Sequence, residues 1–74
     1  MPLIEVKLVE GVLSDSQKQQ LIKGLTEVMV SVEGEHLRPY TLVLIQELKT
    51  GDWAVGGQPM TTQAIKKIAR GEAA

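Results

Sequence analysis

Residues 14–33 read SDSQKQQLIKGLTEVMVSVE, a pattern typical of one long amphipathic helix. Ser14 and Gln17 form a capping box, in which a hydroxyl and a side-chain amide satisfy free backbone donors at a helix start. Gly34 is the expected C-cap. Apolar side chains recur in one stripe along the helix at Leu21, Ile22, Leu25, Val28, Met29 and Val32. The stripe predicts that this side of the helix is buried.

Two apolar segments flank the helix and are predicted to be β-strands. Residues 2–9, PLIEVKLV, alternate, with one side formed by Ile4, Val6 and Leu8 and the other by Leu3, Glu5, Lys7 and Val9. We expect Arg38-Pro39 to restart the chain in an extended conformation. Residues 40–48, YTLVLIQEL, then form the second strand. Two strands joined through a helix of this length predict a right-handed βαβ unit with parallel strands.

The C-terminal third predicts a small hairpin and a short helix. A turn at residues 49–52 leads into Trp53–Gly57, which we expect to belong to a hairpin, and Gln58-Pro59-Met60 is interpreted as loop. Thr61 or Thr62 caps a last helix, whose predicted buried side consists of Ile65, Ile68 and Ala69. Residues 71–74 are expected to fray. The predicted fold is a single α+β domain over residues 1–74: a βαβ unit followed by a short hairpin and helix.

Composition excludes several classes of function. The chain has no cysteine, which removes disulfides and thiolate metal sites, and one histidine, His36, which makes a zinc cluster unexpected. The net charge of −1 comes from interspersed acidic and basic residues, which argues against nucleic-acid binding. No apolar run approaches the ~20 residues of a membrane span. We therefore expect a cytoplasmic protein with no cofactor, no metal, and no nucleic-acid or membrane partner.

The hydrophobic content predicts an oligomer. Hydrophobic residues make up 43% of a chain of only 74 residues. A two-stranded sheet has two faces, and one long helix covers only one of them. The other face must therefore meet another subunit, which predicts a homo-oligomer with its pockets between subunits.

Pro2 is the candidate catalytic residue. Removal of Met1, which a small second residue favours, would leave the proline nitrogen as a free secondary amine. An α-amino group titrates near pH ~8, closer to neutrality than any side chain except histidine and cysteine. Aliphatic surroundings would lower its pKa further, because they disfavour the ammonium form. Pro2 is thus predicted to act as a general base at neutral pH.

The order of these features resembles the 4-oxalocrotonate tautomerase family. The shared features are the proline on the first strand, the Glu10-Gly11 turn, the capped helix, a second strand ending in Glu47, and Gly51-x-Trp53-x-x-Gly56-Gly57. The resemblance covers residues 2–57. It implies a βαβ protomer, a hexamer built from pairs of protomers, and cofactor-free proton transfer on small enol or dienol acids. It also implies that Pro2 is the catalytic base and that Trp53 stands where the family carries an aromatic residue, usually Phe, lining the active site.

Two positions depart from the pattern of the best-studied members. An arginine that follows the Glu-Gly turn in those proteins aligns with Val12, and a second one, early in the second strand, aligns with Leu42. In the family these arginines bind a substrate carboxylate and stabilise charge on the carbonyl oxygen. The loss of both argues against the usual dicarboxylate substrate. Arg38, in the loop before the second strand, is the candidate substitute.

These residues predict a tautomerase acting on a small-molecule substrate. Pro2 would accept a proton from an enol hydroxyl or an activated carbon and return it elsewhere, with Trp53 lining the pocket near Pro2 of the same or a neighbouring protomer. The oxyanion donor would be the Trp53 indole N–H, a backbone amide or Arg38 of a neighbouring subunit. Two alternatives remain: a dehalogenase- or hydratase-like relative, and a non-catalytic scaffold or silent subunit. Lys7 and Glu5 are expected to be exposed or to form ion pairs between subunits rather than to be catalytic groups.

Overall fold

The computed structural model describes residues 1–72 and contains four strands and two α-helices. Their order is β1 (Leu3–Val9), α1 (Asp15–Glu33), a 3-10 helix (Glu35–Tyr40), β2 (Leu42–Leu48), β3 (Trp53–Val55), β4 (Gln58–Met60) and α2 (Thr62–Ala69). β1 and β2 form a parallel two-stranded sheet, and β3 and β4 an antiparallel pair. The α+β architecture predicted from the sequence is confirmed. None of the helices in residues 1–72 is long and apolar enough to cross a membrane.

The chain divides into two compact units. The first comprises Met1–Val6 and Ser14–Gln46, and it contains α1 and the 3-10 helix. The second comprises Lys7–Leu13 and the described residues from Glu47 onward, and it contains the β3–β4 hairpin and α2. Residues 73 and 74, part of the segment expected to fray, lie outside the described residues.

The predicted ends of α1 are confirmed. The Ser14 hydroxyl accepts from the Gln17 backbone N–H at 3.2 Å, and the Gln17 side chain accepts from the Ser14 N–H at 2.8 Å. This is the capping box, which supplies two donors of the first turn with partners. At the other end Gly34 has φ +105°, and its N–H donates to the Val30 carbonyl at 2.9 Å.

The buried side of α1 differs from the predicted stripe. Val28 and Val32 are 65% and 81% exposed, whereas Val30 is buried at 6% exposure. Two polar residues of the helix, Thr26 and Glu33, are half-buried, and each forms a side-chain hydrogen bond. The Thr26 hydroxyl donates to the Ile22 carbonyl at 2.8 Å, and Glu33 accepts from the Thr41 hydroxyl. The predicted stripe is therefore correct at Leu21, Ile22, Leu25 and Met29, which are half-buried, and wrong at Val28 and Val32.

The segment before β2 is a 3-10 helix, so the prediction that Arg38-Pro39 is extended is wrong. The Leu37 N–H donates to the Gly34 carbonyl and the Thr41 N–H to the Arg38 carbonyl, both at 3.2 Å. The Thr41 hydroxyl also donates to the Leu37 carbonyl at 3.0 Å. These bonds close successive short turns, and the second strand consequently begins at Leu42 rather than at position 40.

The C-terminal hairpin is complete, and residues 58–60 form its second strand rather than the loop we predicted. Gly56 and Gly57 have φ +58° and +82°, the backbone that a two-residue hairpin turn requires. Pro59 lies opposite Ala54, which is acceptable because β4 has only one neighbouring strand. Thr61 caps α2 by accepting from the Ala64 N–H at 3.1 Å.

Much apolar surface remains uncovered in a single chain. Along β1 and β2 half-buried and exposed side chains alternate, and the exposed leucines Leu3, Leu42 and Leu44 are 51%, 49% and 53% accessible. On α2, Ile65 is half-buried, but Ile68 is 49% exposed and Ala69 is also exposed, contrary to the predicted buried side. The described residues thus leave one face of the main sheet and part of α2 open.

Candidate active site

Pro2 lies immediately before β1 and is half-buried. Its carbonyl accepts a hydrogen bond from the Leu42 N–H at 3.1 Å. This bond sets Pro2 beside the first residue of β2, one of the two positions that lack the expected arginine. The backbone at this end of the sheet is therefore fixed by strand pairing, whereas the preceding Met1 is 83% exposed.

Trp53, the first residue of β3, lines a cavity of about 230 Å³ within the second unit. The cavity wall consists of Lys7, Leu8, Val9, Val12, Trp53 and Ile65. Trp53 is 37% exposed and Val9 only 2%. The indole N–H has no hydrogen-bond partner among residues 1–72. The cavity thus combines an aliphatic wall with an aromatic ring and one unused N–H donor.

Val12 and Lys7 determine the electrostatics of this cavity. Val12, the other position without its arginine, is part of the wall and makes it more apolar. Lys7 is the sole charged side chain in the wall, and it forms no ion pair or hydrogen bond with the side chains of residues 1–72. Sequence reasoning did not connect Lys7 or Ile65 with Trp53. Strand alternation placed Lys7 on one side with Val9, but no sequence signal indicated that α2 would contribute Ile65.

A hydrogen-bonded turn holds Val12 and the start of α2. Gly11 has φ +77°, and its N–H donates to a Glu47 carboxylate oxygen at 3.2 Å. The Thr62 hydroxyl donates to the Glu10 carbonyl at 2.7 Å, and the Thr62 N–H donates to the Thr50 hydroxyl at 3.0 Å. These bonds hold the turn that precedes Val12 and the start of the helix that carries Ile65. Two sides of the cavity wall are therefore held in place.

Arg38 lies in the 3-10 helix and is held by two carboxylates. Its Nη1 and Nη2 atoms donate to the two oxygens of Glu27 at 2.6 and 3.0 Å. Its Nε and Nη2 atoms donate to the two oxygens of Glu35 at 2.6 and 3.2 Å. Four of the five guanidinium N–H donors are therefore engaged, and the cluster carries a formal charge of −1.

The cluster shifts the pKa values of its members. The hydrogen bond from Arg38 is the main cause that lowers the pKa of Glu27 and that of Glu35 below the usual 4.5. The same bonds raise the pKa of Arg38 above its ordinary value. Arg38 consequently stays charged, and its charge is offset by the two glutamates beside it.

The structure gives the three predicted site residues different surroundings. Pro2 and Arg38 belong to the first unit, where the Pro2 carbonyl pairs with Leu42 and the Arg38 guanidinium pairs with Glu27 and Glu35. Trp53 belongs to the second unit, in the cavity described above. Within residues 1–72 no group of three His, Cys, Asp or Glu side chains could hold a metal ion.

Comparisons with known proteins identify the family. The sequence model of the family described as "Tautomerase enzyme" matches residues 2–63. The chain is 33% identical over 61 residues to probable tautomerase K2 of Dickeya dadantii strain 3937. This match covers 82% of this chain and 90% of the relative. The protein therefore belongs to the tautomerase family.

The solved structures place it within the 4-oxalocrotonate tautomerase family. The fold matches the crystal structure of apo unFused 4-OT with a TM-score of 0.71 and 35% identity, covering 86% of this chain and 98% of that one. It also matches YwhB, a homologue of 4-oxalocrotonate tautomerase, with a TM-score of 0.70 and 31% identity, covering 78% and 92% of the two chains. The family resemblance inferred from Pro2 and the glycine–aromatic spacing is confirmed.

Proposed function

We propose that this protein is a cofactor-independent tautomerase in which the amine of Pro2 transfers a proton on a small enol or dienol carboxylic acid. The observation that carries the proposal is the position of Pro2, which is the first residue of the segment matched by the tautomerase family and is held immediately before β1 by the bond from the Leu42 N–H to its carbonyl. The proposal requires a mature chain that begins at Pro2, because a retained Met1 makes the nitrogen part of an amide with no available lone pair.

The proposed reaction has two proton-transfer steps. The neutral Pro2 nitrogen accepts the enol hydroxyl proton, which leaves a delocalised enolate and a prolyl ammonium. The ammonium then returns a proton to carbon, which completes the keto product and regenerates the amine. Charge on the oxygen is stabilised by the Trp53 indole N–H, which is unengaged among residues 1–72, or by Arg38 of a neighbouring subunit through its remaining N–H.

The catalytic unit is proposed to be a homohexamer, a trimer of dimers. Support comes from the open leucine face of the main sheet and from the scarcity of core: Val9 and Val30 are the sole buried hydrophobic residues among those described. In the proposed hexamer, Pro2 of a neighbouring protomer would meet the substrate at the Trp53 cavity.

The test is the ketonisation of an aryl enol-pyruvate, followed by ultraviolet absorbance from about pH 5 to 9. We expect kcat/KM to rise with pH as the ammonium loses its proton and to level off below pH ~8. Pro2→Ala keeps a primary amine at the chain start and should retain part of the activity. A rate independent of pH over this range, or full activity in a chain with Met1 retained, would contradict the proposal.

The second candidate is a non-catalytic scaffold or silent subunit. Val12 and Leu42 lack the family's arginine side chains, and Arg38 is engaged by two glutamates. Intact mass of protein from its own host discriminates between the two functions, because a scaffold tolerates a retained Met1 and a proline-based enzyme does not.

A further inference from the structure

The wall of the cavity beside Trp53 contains one charged side chain, Lys7, among aliphatic and aromatic ones. Lys7 is exposed and has no acidic partner among residues 1–72, whereas Arg38 is bound by Glu27 and Glu35. An anion that entered the Trp53 cavity would therefore meet an uncompensated positive charge, and charge-assisted hydrogen bonds are about twice as strong as neutral ones.

We propose that Lys7 binds the substrate carboxylate and that its cavity selects small monocarboxylates with an apolar body. This inference rests on the proposed tautomerase function for its link to catalysis, but the binding itself does not require turnover. Lys7 would take the place of the arginine that Val12 lacks, since both residues line the same cavity.

The size of the cavity limits the ligand. Its volume is about 230 Å³, below the ~300–1,000 Å³ typical of pockets for drug-sized molecules. Trp53, Val12 and Ile65 provide the surface against which a short aryl or alkenyl group packs.

The wall also argues against a second carboxylate. Apart from Lys7, every lining side chain is aliphatic or aromatic. A second carboxylate would lose water without gaining a cation, which is unfavourable. A dicarboxylate should therefore bind more weakly than a monocarboxylate of similar length.

Trp53 is the only tryptophan of the chain, so its fluorescence reports binding directly. The experiment titrates the oligomer with 3-phenylpropionate, with its neutral amide 3-phenylpropanamide, and with glutarate. The variants are Lys7→Gln, Lys7→Arg and the matched surface control Lys67→Gln, which removes one exposed lysine from α2. Sedimentation of each variant checks the assembly.

We expect Lys7→Gln to raise the Kd of 3-phenylpropionate about tenfold and to leave that of the amide unchanged. Lys7→Arg should restore most of the affinity, Lys67→Gln should have no effect, and wild type should bind glutarate more weakly than 3-phenylpropionate. The proposal would be overturned if Lys7→Gln left the Kd of 3-phenylpropionate unchanged, or if it weakened binding of the acid and the amide equally. Dissociation of the Lys7→Gln oligomer would also overturn it, because Lys7 would then belong to an ion pair between subunits. Failure of the wild type to quench with either aryl ligand would overturn it as well.

Kinetics separate this inference from the proposed function. If an aryl enol-pyruvate is turned over, Lys7→Gln should raise KM about tenfold with little change in kcat, because the carboxylate is bound equally in ground and transition states. If Lys7→Gln raises the Kd of 3-phenylpropionate as expected but no aryl enol-pyruvate is turned over, the tautomerase function alone is refuted.

Discussion

Val12 and Leu42 occupy the two positions at which the family resemblance implies arginines. Leu42 pairs its backbone N–H with the Pro2 carbonyl, and Val12 lines the Trp53 cavity. Both residues are accommodated by the fold, but neither carries the positive charge that the family resemblance implies for binding a carboxylate. If the proposed function holds, the specificity of this chain depends on which cations remain accessible.

Restoring an arginine at position 12 tests this argument. Val12→Arg should increase kcat/KM for an enol dicarboxylate relative to an enol monocarboxylate by about tenfold, because a guanidinium pairs well with a carboxylate in a site of low polarity. Val12→Gln is the matched control, with similar length and no charge. If both variants change the ratio of the two kcat/KM values equally, the effect comes from the size of the side chain and not from its charge.

Gly11 provides a test of the turn that carries Val12. Gly11→Ala should lower the apparent free energy of unfolding by about 1–3 kcal/mol at fixed protein concentration, since a Cβ is strained at φ +77° and would lie 3.2 Å from the Thr62 methyl group. Gly24→Ala is the control, because Gly24 is helical with nothing within 4 Å of an added Cβ. That change should stabilise the protein by roughly 0.5–1 kcal/mol. Equal effects at the two positions would show that the turn geometry is unimportant.

At the scale of elements, an ion-pair cluster links the 3-10 helix to α1. Glu27 belongs to α1, whereas Glu35 and Arg38 belong to the 3-10 helix. The pKa of each glutamate is lowered in the folded state, so the cluster contributes stability above pH 4.5 and loses it as the pH falls through the lowered values. The contribution is modest because the side chains are solvent-exposed.

Arg38→Gln should therefore lower the Tm at pH 7 and have a smaller effect at an acid pH, because the two carboxylates become protonated as the pH falls through their lowered pKa values. Thermal unfolding by circular dichroism at both pH values measures this difference. Salt at about 1 M should reduce the difference near pH 7 by screening. A Tm loss that is equal at both pH values would assign Arg38 a packing role instead.

The same elements show what could be predicted from sequence. The capping box of Ser14 and Gln17 and the Gly34 C-cap are local patterns, and they located α1 correctly. The 3-10 helix was missed because the tendency of a residue before proline to be extended is opposed here by turn hydrogen bonds and by ion pairs that reach back to Glu27.

The candidate site was only partly predictable for a related reason. Pro2 and Trp53 could be found because motif spacing marks them. Lys7, Val12 and Ile65 come from three separate segments, and they share a cavity only after the hairpin and α2 have folded. The sequence alone does not show that Lys7 forms no ion pair within residues 1–72.

At the scale of the whole molecule, the exposed leucines of the main sheet predict obligate assembly. Leu44→Glu places a charge in the middle of this face and should dissociate the oligomer, because a buried unpaired carboxylate is costly. Gln20→Glu adds the same charge on an exposed position of α1 and should leave the assembly unchanged. Sedimentation velocity at micromolar concentration distinguishes them. A wild-type protein that sediments as a folded 8.1 kDa monomer would contradict the oligomer.

The central claim is that the Pro2 nitrogen is the catalytic base, and the most direct measurement compares free and acylated N-termini of the same oligomer. Protein that begins at Pro2 is acetylated at this nitrogen, checked by intact mass and sedimentation, and assayed for ketonisation of an aryl enol-pyruvate. We predict that acetylation abolishes activity while the oligomer stays intact, because an amide nitrogen cannot accept the proton. Full activity of the acetylated oligomer would contradict the account and require another base.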